Sequence, residues 1–235
     1  MKDSKQKILI IIPAFNEEAN IGSVISNVRK HVSEADIIVV NDGSGDGTAR
    51  IAEAGGVTVL HHPYNMGIGA TMQTGYKYAL LNGYNVAVQV DGDGQHPADQ
   101  IQYIIKPILE DKADIVVGSR FLGKGDYKPS IARGAGMAVF SRVVSFIIKE
   151  KVTDTTSGFR AAGRDCITFF SNHYPDDYPE VEALVLLHKK GFSILEVPVK
   201  MFERAGGRSS ITPVRSVYYM IKVLLAIFVD LLKRT

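Results

Sequence analysis

Short continuous apolar runs rich in Ile and Val recur along the first half of the chain, at residues 8–12, 37–40, 57–60, 86–90 and 115–117. Runs of this length without polar alternation predict strands buried on both faces, as in a largely parallel sheet. Between them, residues 19–32, 48–54, 70–81 and 97–109 carry helical periodicity and are long enough for crossovers. The alternation predicts an α/β sheet covered by helices on both faces. Turn residues stand where strands end: Pro13 after the first, Asn41-Asp42-Gly43-Ser44 after the second, and Asp91-Gly92-Asp93-Gly94 after the fourth. Ligands of open α/β sheets bind beyond the carboxyl ends of the strands, so these clusters are expected to converge on one crevice.

After residue 117 the alternation fades into Gly118-Ser119-Arg120, a helical stretch over 131–149 and a polar segment over 153–160. The second half therefore reads as an elaboration of the first. Residues 217–232 are nearly all apolar or aromatic but are broken by Lys222 and Asp230. They fall short of the uninterrupted span of roughly 20 residues that crosses a bilayer, so an amphipathic or interfacial helix is expected. The predicted organisation is one catalytic domain over 1–210 and a C-terminal helix over 211–235.

Composition narrows the function classes. With 46% hydrophobic and 22% charged residues the chain can bury a normal core. A net charge of +2, with both signs interspersed, lacks the footprint of a nucleic-acid binder, and no such partner is expected. Cys166 is the sole cysteine, which excludes intramolecular disulfides and argues against a Cys-built zinc site. Residues 1–7 are polar and show no export-signal pattern. A reducing, cytoplasmic setting is expected.

The sharpest chemical feature is Asp91-Gly92-Asp93-Gly94-Gln95-His96-Pro97 at a strand end. Two carboxylates and an amide at Asp91, Asp93 and Gln95 offer hard oxygen ligands to Mg²⁺ or Mn²⁺, leaving other positions for phosphate oxygens. A calcium loop starting at Asp91 would need Gly at its sixth position and Glu at its twelfth, where His96 and Gln102 stand. The bland alternative is a polar turn whose aspartates cap a helix beginning near Pro97. Pro13 and Asn16 also suit a strand end followed by a helix start, and Asp46 or Thr48 suits an N-cap. Gly43, Gly45 and Gly47 lack the spacing and position of a dinucleotide fingerprint. His61 and His62 read as turn or packing residues, and Arg160 and Arg204 have surface ion pairing as their alternative.

In order and over nearly the whole chain, these motifs resemble family 2 glycosyltransferases, in the branch that includes the dolichol-phosphate and polyprenyl-phosphate sugar synthases. The resemblance implies a GT-A-type fold: a Rossmann-like, mostly parallel sheet flanked by helices, here with a C-terminal apolar helix. Pro13-Ala14-Phe15-Asn16-Glu17-Glu18 looks like the opening loop that lies against the nucleotide. Asp42 stands where an acid contacts the base and ribose region, and Asp91, Asp93 and Gln95 match the metal and diphosphate motif. Gly69, Gly92 and Arg120 are expected on the same nucleotide side. Asp154-Thr155-Thr156-Ser157-Gly158-Phe159-Arg160 is similar to the acceptor-side loop. Glu182 stands for the helix-borne glutamate ahead of Glu196-Val197-Pro198, and Arg204, Gly207 and Ser209 match a phosphate-contacting Arg-x-x-Gly-x-Ser segment. The chain departs from the family twice: Ser210 replaces a lysine after that segment, and Ile68 replaces the lysine of Asn65-Met66-Gly67-Ile68-Gly69. Arg120, Arg133, Arg204 and Arg208 remain as phosphate-facing cations.

The activity so implied is inverting transfer of a sugar, dependent on Mg²⁺ or Mn²⁺, from a nucleotide diphosphate sugar to a polyprenyl-phosphate-type lipid. Its expected place is an anionic membrane surface at the inner face, approached through the C-terminal helix, for which a homo-oligomer is the other way of covering its apolar side. Asp154 and Glu182 are the candidate bases, with Arg133 and Arg204 as positioning cations. A glycan-extending cell-wall or exopolysaccharide transferase is the alternative among enzymes, and a non-catalytic nucleotide-binding GT-A module the alternative of another class. A nucleotidyltransferase would carry a Gly-rich basic loop after the first strand, where the segment 13–18 is acidic.

Overall fold

The computed structural model describes residues 6–122, 131–149, 151–176 and 179–202, with 131–136 described by their backbone alone. The predicted strands form as β1 (Ile8–Ala14), β2 (Asp36–Asn41), β3 (Thr58–His61), β4 (Val86–Gln89) and β5 (Ile115–Ser119). Each crossover is helical: α1 (Ile21–His31), α2 (Thr48–Ala54), α3 (Ile68–Leu81), and a 3₁₀ turn (Ala98–Gln100) leading into α4 (Ile101–Leu109). Then follow α5 (Ile131–Ile148), β6 (Arg160–Gly163), α6 (Arg164–Asn172), α7 (Pro179–Lys189) and β7 (Ile194–Pro198). None of the described helices is long and apolar enough to cross a membrane.

Successive side chains of a strand point to opposite faces, and β1 fills both cores. Ile8, Ile10 and Ile12 pack with Ile21, Val24 and Val28 of α1 and Ile101, Ile104 and Ile105 of α4. Leu9 and Ile11 pack on the other face with Met72 and Tyr76 of α3 and Ile167 and Phe170 of α6. Gly75 brings α3 down onto the sheet, since a Cβ there would stand 2.5 Å from Ile11 Cγ2. A third cluster joins α5 to α7 through Phe140, Val144, Ile148, Val181, Leu184 and Val185.

The sheet order is β3-β2-β1-β4-β6-β5-β7. The chain leaves β1 toward β2 on one side and returns through β4 on the other, which makes the β1/β4 junction the topological switch point. The expectation that the second half merely elaborates the first needs correction here. β6 lies inside the sheet, antiparallel to both β4 and β5, with Gln89 opposite Arg160 and Arg160 opposite Val117. Because it runs backwards, its first residue, Arg160, and the loop before it arrive at the carboxyl ends of the parallel strands.

Candidate active site

At the end of β4 the acidic turn is built from its own side chains. Asp91 N–H donates to His96 Nδ1 at 2.9 Å, so the neutral ring carries its proton on Nε2, 3.5 Å from Asp91 Oδ2. Buried Gln89 donates from Nε2 to Asp91 Oδ1 at 3.0 Å. Asp93 Oδ1 accepts from Gln95 N–H at 3.0 Å, and Gly94 takes φ of +79°, where a side chain would be strained. His96 in turn packs on Phe159, with ring centroids 5.1 Å apart. No side chain caps the 3₁₀ turn or α4, so the helix-capping alternative for the aspartates is not realised. Asp91 keeps 35% of its side-chain surface exposed, enough to meet a ligand. Gly92 closes the turn against the first strand, where a Cβ would stand 3.1 Å from the Pro13 carbonyl oxygen and 3.6 Å from Ala14 Cβ.

Gln95 has a second engagement. Its carbonyl accepts from Phe202 N–H at 2.9 Å, and its Nε2 donates back to the Phe202 carbonyl at 3.3 Å. The acidic turn is thereby joined to the segment after β7 that leads toward Arg204, Gly207 and Ser209, which with Arg208 and residues 211–235 lie outside the described residues.

On the first-strand side, two loops are laced into one. Asn16 has φ of +55°, a left-handed conformation that Asn tolerates better than most residues. Its N–H donates to Ser44 Oγ at 3.0 Å and its Oδ1 accepts from Gly45 N–H at 2.9 Å. Glu17 N–H donates to Thr48 Oγ1 at 2.8 Å, and Asp46 Oδ1 accepts from Thr48 N–H at 3.0 Å. Of the two N-cap candidates, Asp46 is the one whose side chain holds the start of α2.

Asp42 is almost fully buried and anchors the next loop. Its Oδ1 accepts from His62 Nδ1 at 2.7 Å and Met66 N–H at 2.8 Å, and its Oδ2 accepts from Gly67 N–H at 2.9 Å. His62 Nε2 meets Thr74 Oγ1 at 2.9 Å. His62 is thus more than a turn residue: it fixes the acid that faces the loop over 62–67. Gly69 lies in the first turn of α3, and a side chain there would collide with the carbonyl oxygens of Pro175 and Asp176. That close approach accounts for its glycine, without appeal to a nucleotide.

On the β5 and β6 side, Arg120 and Asp154 form a bidentate pair, Nε to Oδ2 at 2.7 Å and Nη2 to Oδ1 at 2.7 Å. Arg120 N–H adds a bond to Oδ2 at 3.0 Å. The loop is held from below by Glu196 of β7, whose Oε1 accepts from Asp154 N–H at 2.7 Å and whose Oε2 accepts from Thr153 N–H at 2.7 Å. Gly158 lets this loop lie on the acidic turn, since a Cβ there would be 3.2 Å from Asp91 Oδ2. Arg160 is 2% exposed, which removes the surface ion-pair alternative. Its guanidinium donates to the carbonyls of Ser157, Thr155 and Glu180 and so ties the loop before β6 to the start of α7.

Glu182 lies partly buried in the first turn of α7. Arg133 falls in α5 where the side chains are not described. Glu180, which the sequence reading did not single out, is also partly buried at the start of α7. Loss of solvent raises its pKa above 4.5 and the Asp91 charge adds to the rise, while Arg160 and Arg120 oppose it. Its one sequence signal was the Glu-x-Glu spacing at a helix start.

A seven-stranded sheet of this order with paired aspartates at its switch point is a GT-A-type fold. The sequence model of glycosyl transferase family 2 matches residues 9–167, more than half of the chain, and the chain belongs to that family. It is 33% identical over 213 residues to the UDP-N-acetylglucosamine–dolichyl-phosphate N-acetylglucosaminyltransferase of Methanococcus voltae, covering 82% of this chain and 84% of that protein. It is 28% identical over 217 residues to the polyprenol monophosphomannose synthase of Mycolicibacterium smegmatis, covering 88% and 82%. Among solved structures, glucosyl-3-phosphoglycerate synthase from Mycobacterium tuberculosis, bound to Mn²⁺, UDP and glucosyl-3-phosphoglycerate, matches with a TM-score of 0.72. That match covers 96% of this chain and 80% of that one at 21% identity, and speaks for the fold.

Proposed function

We propose that this glycosyltransferase moves a sugar from a nucleotide diphosphate sugar to a polyprenyl-phosphate-type lipid, with inversion, at a membrane surface. The observation that carries the choice of acceptor is the state of Asp154. Both of its oxygens are committed to Arg120, so the carboxylate orients the guanidinium and has neither oxygen left to meet an acceptor hydroxyl. A lipid phosphate is already anionic near neutral pH and needs placing rather than deprotonating, which suits a loop fixed by Arg120, Glu196 and Arg160. The relatives named for transfer to dolichyl or polyprenol phosphates support the same reading.

The donor would lie across the switch point, between the Pro13–Glu17 loop, the Asp42 loop and the acidic turn. Asp91 and Asp93 fit Mg²⁺ or Mn²⁺: two carboxylates on a preformed turn, both partly exposed, leaving positions for diphosphate oxygens. When bound, the ion supplies a Lewis acid that offsets the charge on the departing diphosphate. An acceptor phosphate oxygen forms its bond to the anomeric carbon as the bond to the diphosphate oxygen breaks on the opposite face. Asp154 acts as the positioning residue of Arg120, which would meet the acceptor or donor phosphate together with Arg133 and Arg204. Gln95, through its tie to Phe202, would hold the segment after β7 against the acidic turn.

Glu180 favours a second reading. A partly buried carboxyl near Asp91 with a raised pKa is suited to accept a proton from a sugar hydroxyl, as a glycan-extending transferase requires. The test is a thermal-shift panel of nucleoside diphosphates and nucleotide sugars with and without Mn²⁺, followed by transfer from the best donor to polyprenyl phosphate and to oligosaccharides. Product on the lipid phosphate alone supports the first reading. Product on oligosaccharides alone replaces it with the second.

A further inference from the structure

We propose that Gln89 is a positioning residue for the metal and diphosphate end of the site, holding the Asp91 carboxylate in the orientation in which it receives the divalent ion. The proposal rests on the metal reading of Asp91 and Asp93 given above and adds to it a strand residue that lies outside the acidic turn.

Gln89 is out of place as a sheet residue. β4 reads Val86-Ala87-Val88-Gln89 with Val90 beyond it, so the glutamine is its one polar side chain. It is 2% exposed. In the sheet it stands between Ile11 of β1 and Arg160 of β6, and Ile11 belongs to the apolar core with Met72 and Tyr76. A buried amide disfavours folding unless it is hydrogen-bonded, whereas an aliphatic side chain carries no such cost. The partner of this amide is Asp91 Oδ1, which accepts from Gln89 Nε2 at 3.0 Å. Asp91 keeps 35% of its side-chain surface exposed, so water could have served that oxygen. The need of the carboxylate for a donor therefore does not account for a buried glutamine. What water could not supply is a fixed direction.

Asp91 is held from several sides. Its N–H donates to His96 Nδ1 at 2.9 Å, the same ring sets Nε2 3.5 Å from Oδ2, and Gln89 takes Oδ1. Gly158 lies against both partners of the last bond: a Cβ there would stand 2.8 Å from Gln89 Nε2 and 3.2 Å from Asp91 Oδ2. The loop before β6 thus closes over the Gln89–Asp91 bond and leaves the amide little room to turn. A carboxylate restrained in this way is preorganised, so that an ion arriving from the open side meets a ligand already in place.

Two variants test the role. Gln89→Met replaces the amide with an apolar chain of similar length, and Gln89→Asn keeps an amide but withdraws it by one methylene. Val88→Ala, on the same strand, is the control for damage to the sheet. The melting temperature of each chain is followed across a Mn²⁺ titration at fixed ADP, CDP, GDP, UDP or dTDP, and urea denaturation is measured without ligand. In the Gln89 variants the Mn²⁺ concentration that gives half of the shift is expected to rise about tenfold or more. Transfer should show the same split, lost at limiting Mn²⁺ and recovered at saturating Mn²⁺. Val88→Ala should unfold at lower urea and keep the wild-type Mn²⁺ midpoint. One folded Gln89 variant decides the matter: a wild-type Mn²⁺ midpoint in it overturns the role of Gln89 and leaves the metal reading standing. An equal loss of Mn²⁺ response in Val88→Ala also overturns it, since damage to β4 would then suffice. A wild-type chain with no Mn²⁺-dependent shift in any of the five nucleotides removes the metal reading, and the role of Gln89 with it.

Discussion

Arg120 and Asp154 hold each other by two parallel bonds of 2.7 Å, with the aspartate side chain fully enclosed and the arginine only 13% exposed. Removing one member of such a pair leaves the other charge without its partner in a poorly solvated place. Asp154→Ala is therefore expected to cost about 3 kcal/mol in urea denaturation. Arg120→Lys should keep the charge but lose the fork, lowering kcat while leaving nucleotide affinity unchanged. Wild-type stability in the first variant and wild-type kcat in the second would show that the pair is incidental.

Asp42 and His62 are 20 residues apart and meet at 2.7 Å, and with Met66 and Gly67 N–H they fix the loop after β3. Asp42→Ala should weaken binding of a free nucleoside diphosphate, because three anchoring bonds go at once. His62→Ala removes one of them and should weaken it less. Calorimetry that finds both affinities unchanged would take this loop out of the donor site.

The parts of this architecture legible in sequence are those that local patterning governs. The Ile8–Ile12 run had to be buried on both faces, and it is; Asp91 and Asp93 at a strand end had to reach the switch point, and they do. β6 was hidden because Arg160-Ala161-Ala162-Gly163 has no β-branched residue and no alternation. It becomes a strand only by filling the gap between β4 and β5. Distant partnerships were equally invisible: Asp154 with Arg120 and Glu196, and Asp42 with His62, depend on which loops the sheet order brings together.

Glu180 supplies a pH signature. Its folded pKa lies above the ordinary 4.5, so as pH rises from 4.5 the unfolded chain loses this proton before the folded one, and folding is progressively disfavoured. Glu180→Gln removes that penalty. The variant should be more stable than wild type near neutral pH, with the gain shrinking as pH falls to 4.5. A gain that stays constant across this range would mean that the carboxyl is not shielded.

The central claim is that Asp91 and Asp93 make the acidic turn the metal and diphosphate end of a sugar-transfer site. Asp93→Ala leaves the buried strands untouched, since its Oδ1 serves the turn through Gln95 N–H. The decisive measurement is transfer of labelled sugar from the donor to polyprenyl phosphate by wild type and Asp93→Ala, with and without Mn²⁺, alongside nucleotide binding by calorimetry. The account predicts Mn²⁺-dependent product from wild type, none from a folded Asp93→Ala protein, and loss of the Mn²⁺-dependent part of its nucleotide affinity. An Asp93→Ala protein that still transfers sugar in response to Mn²⁺ would contradict it.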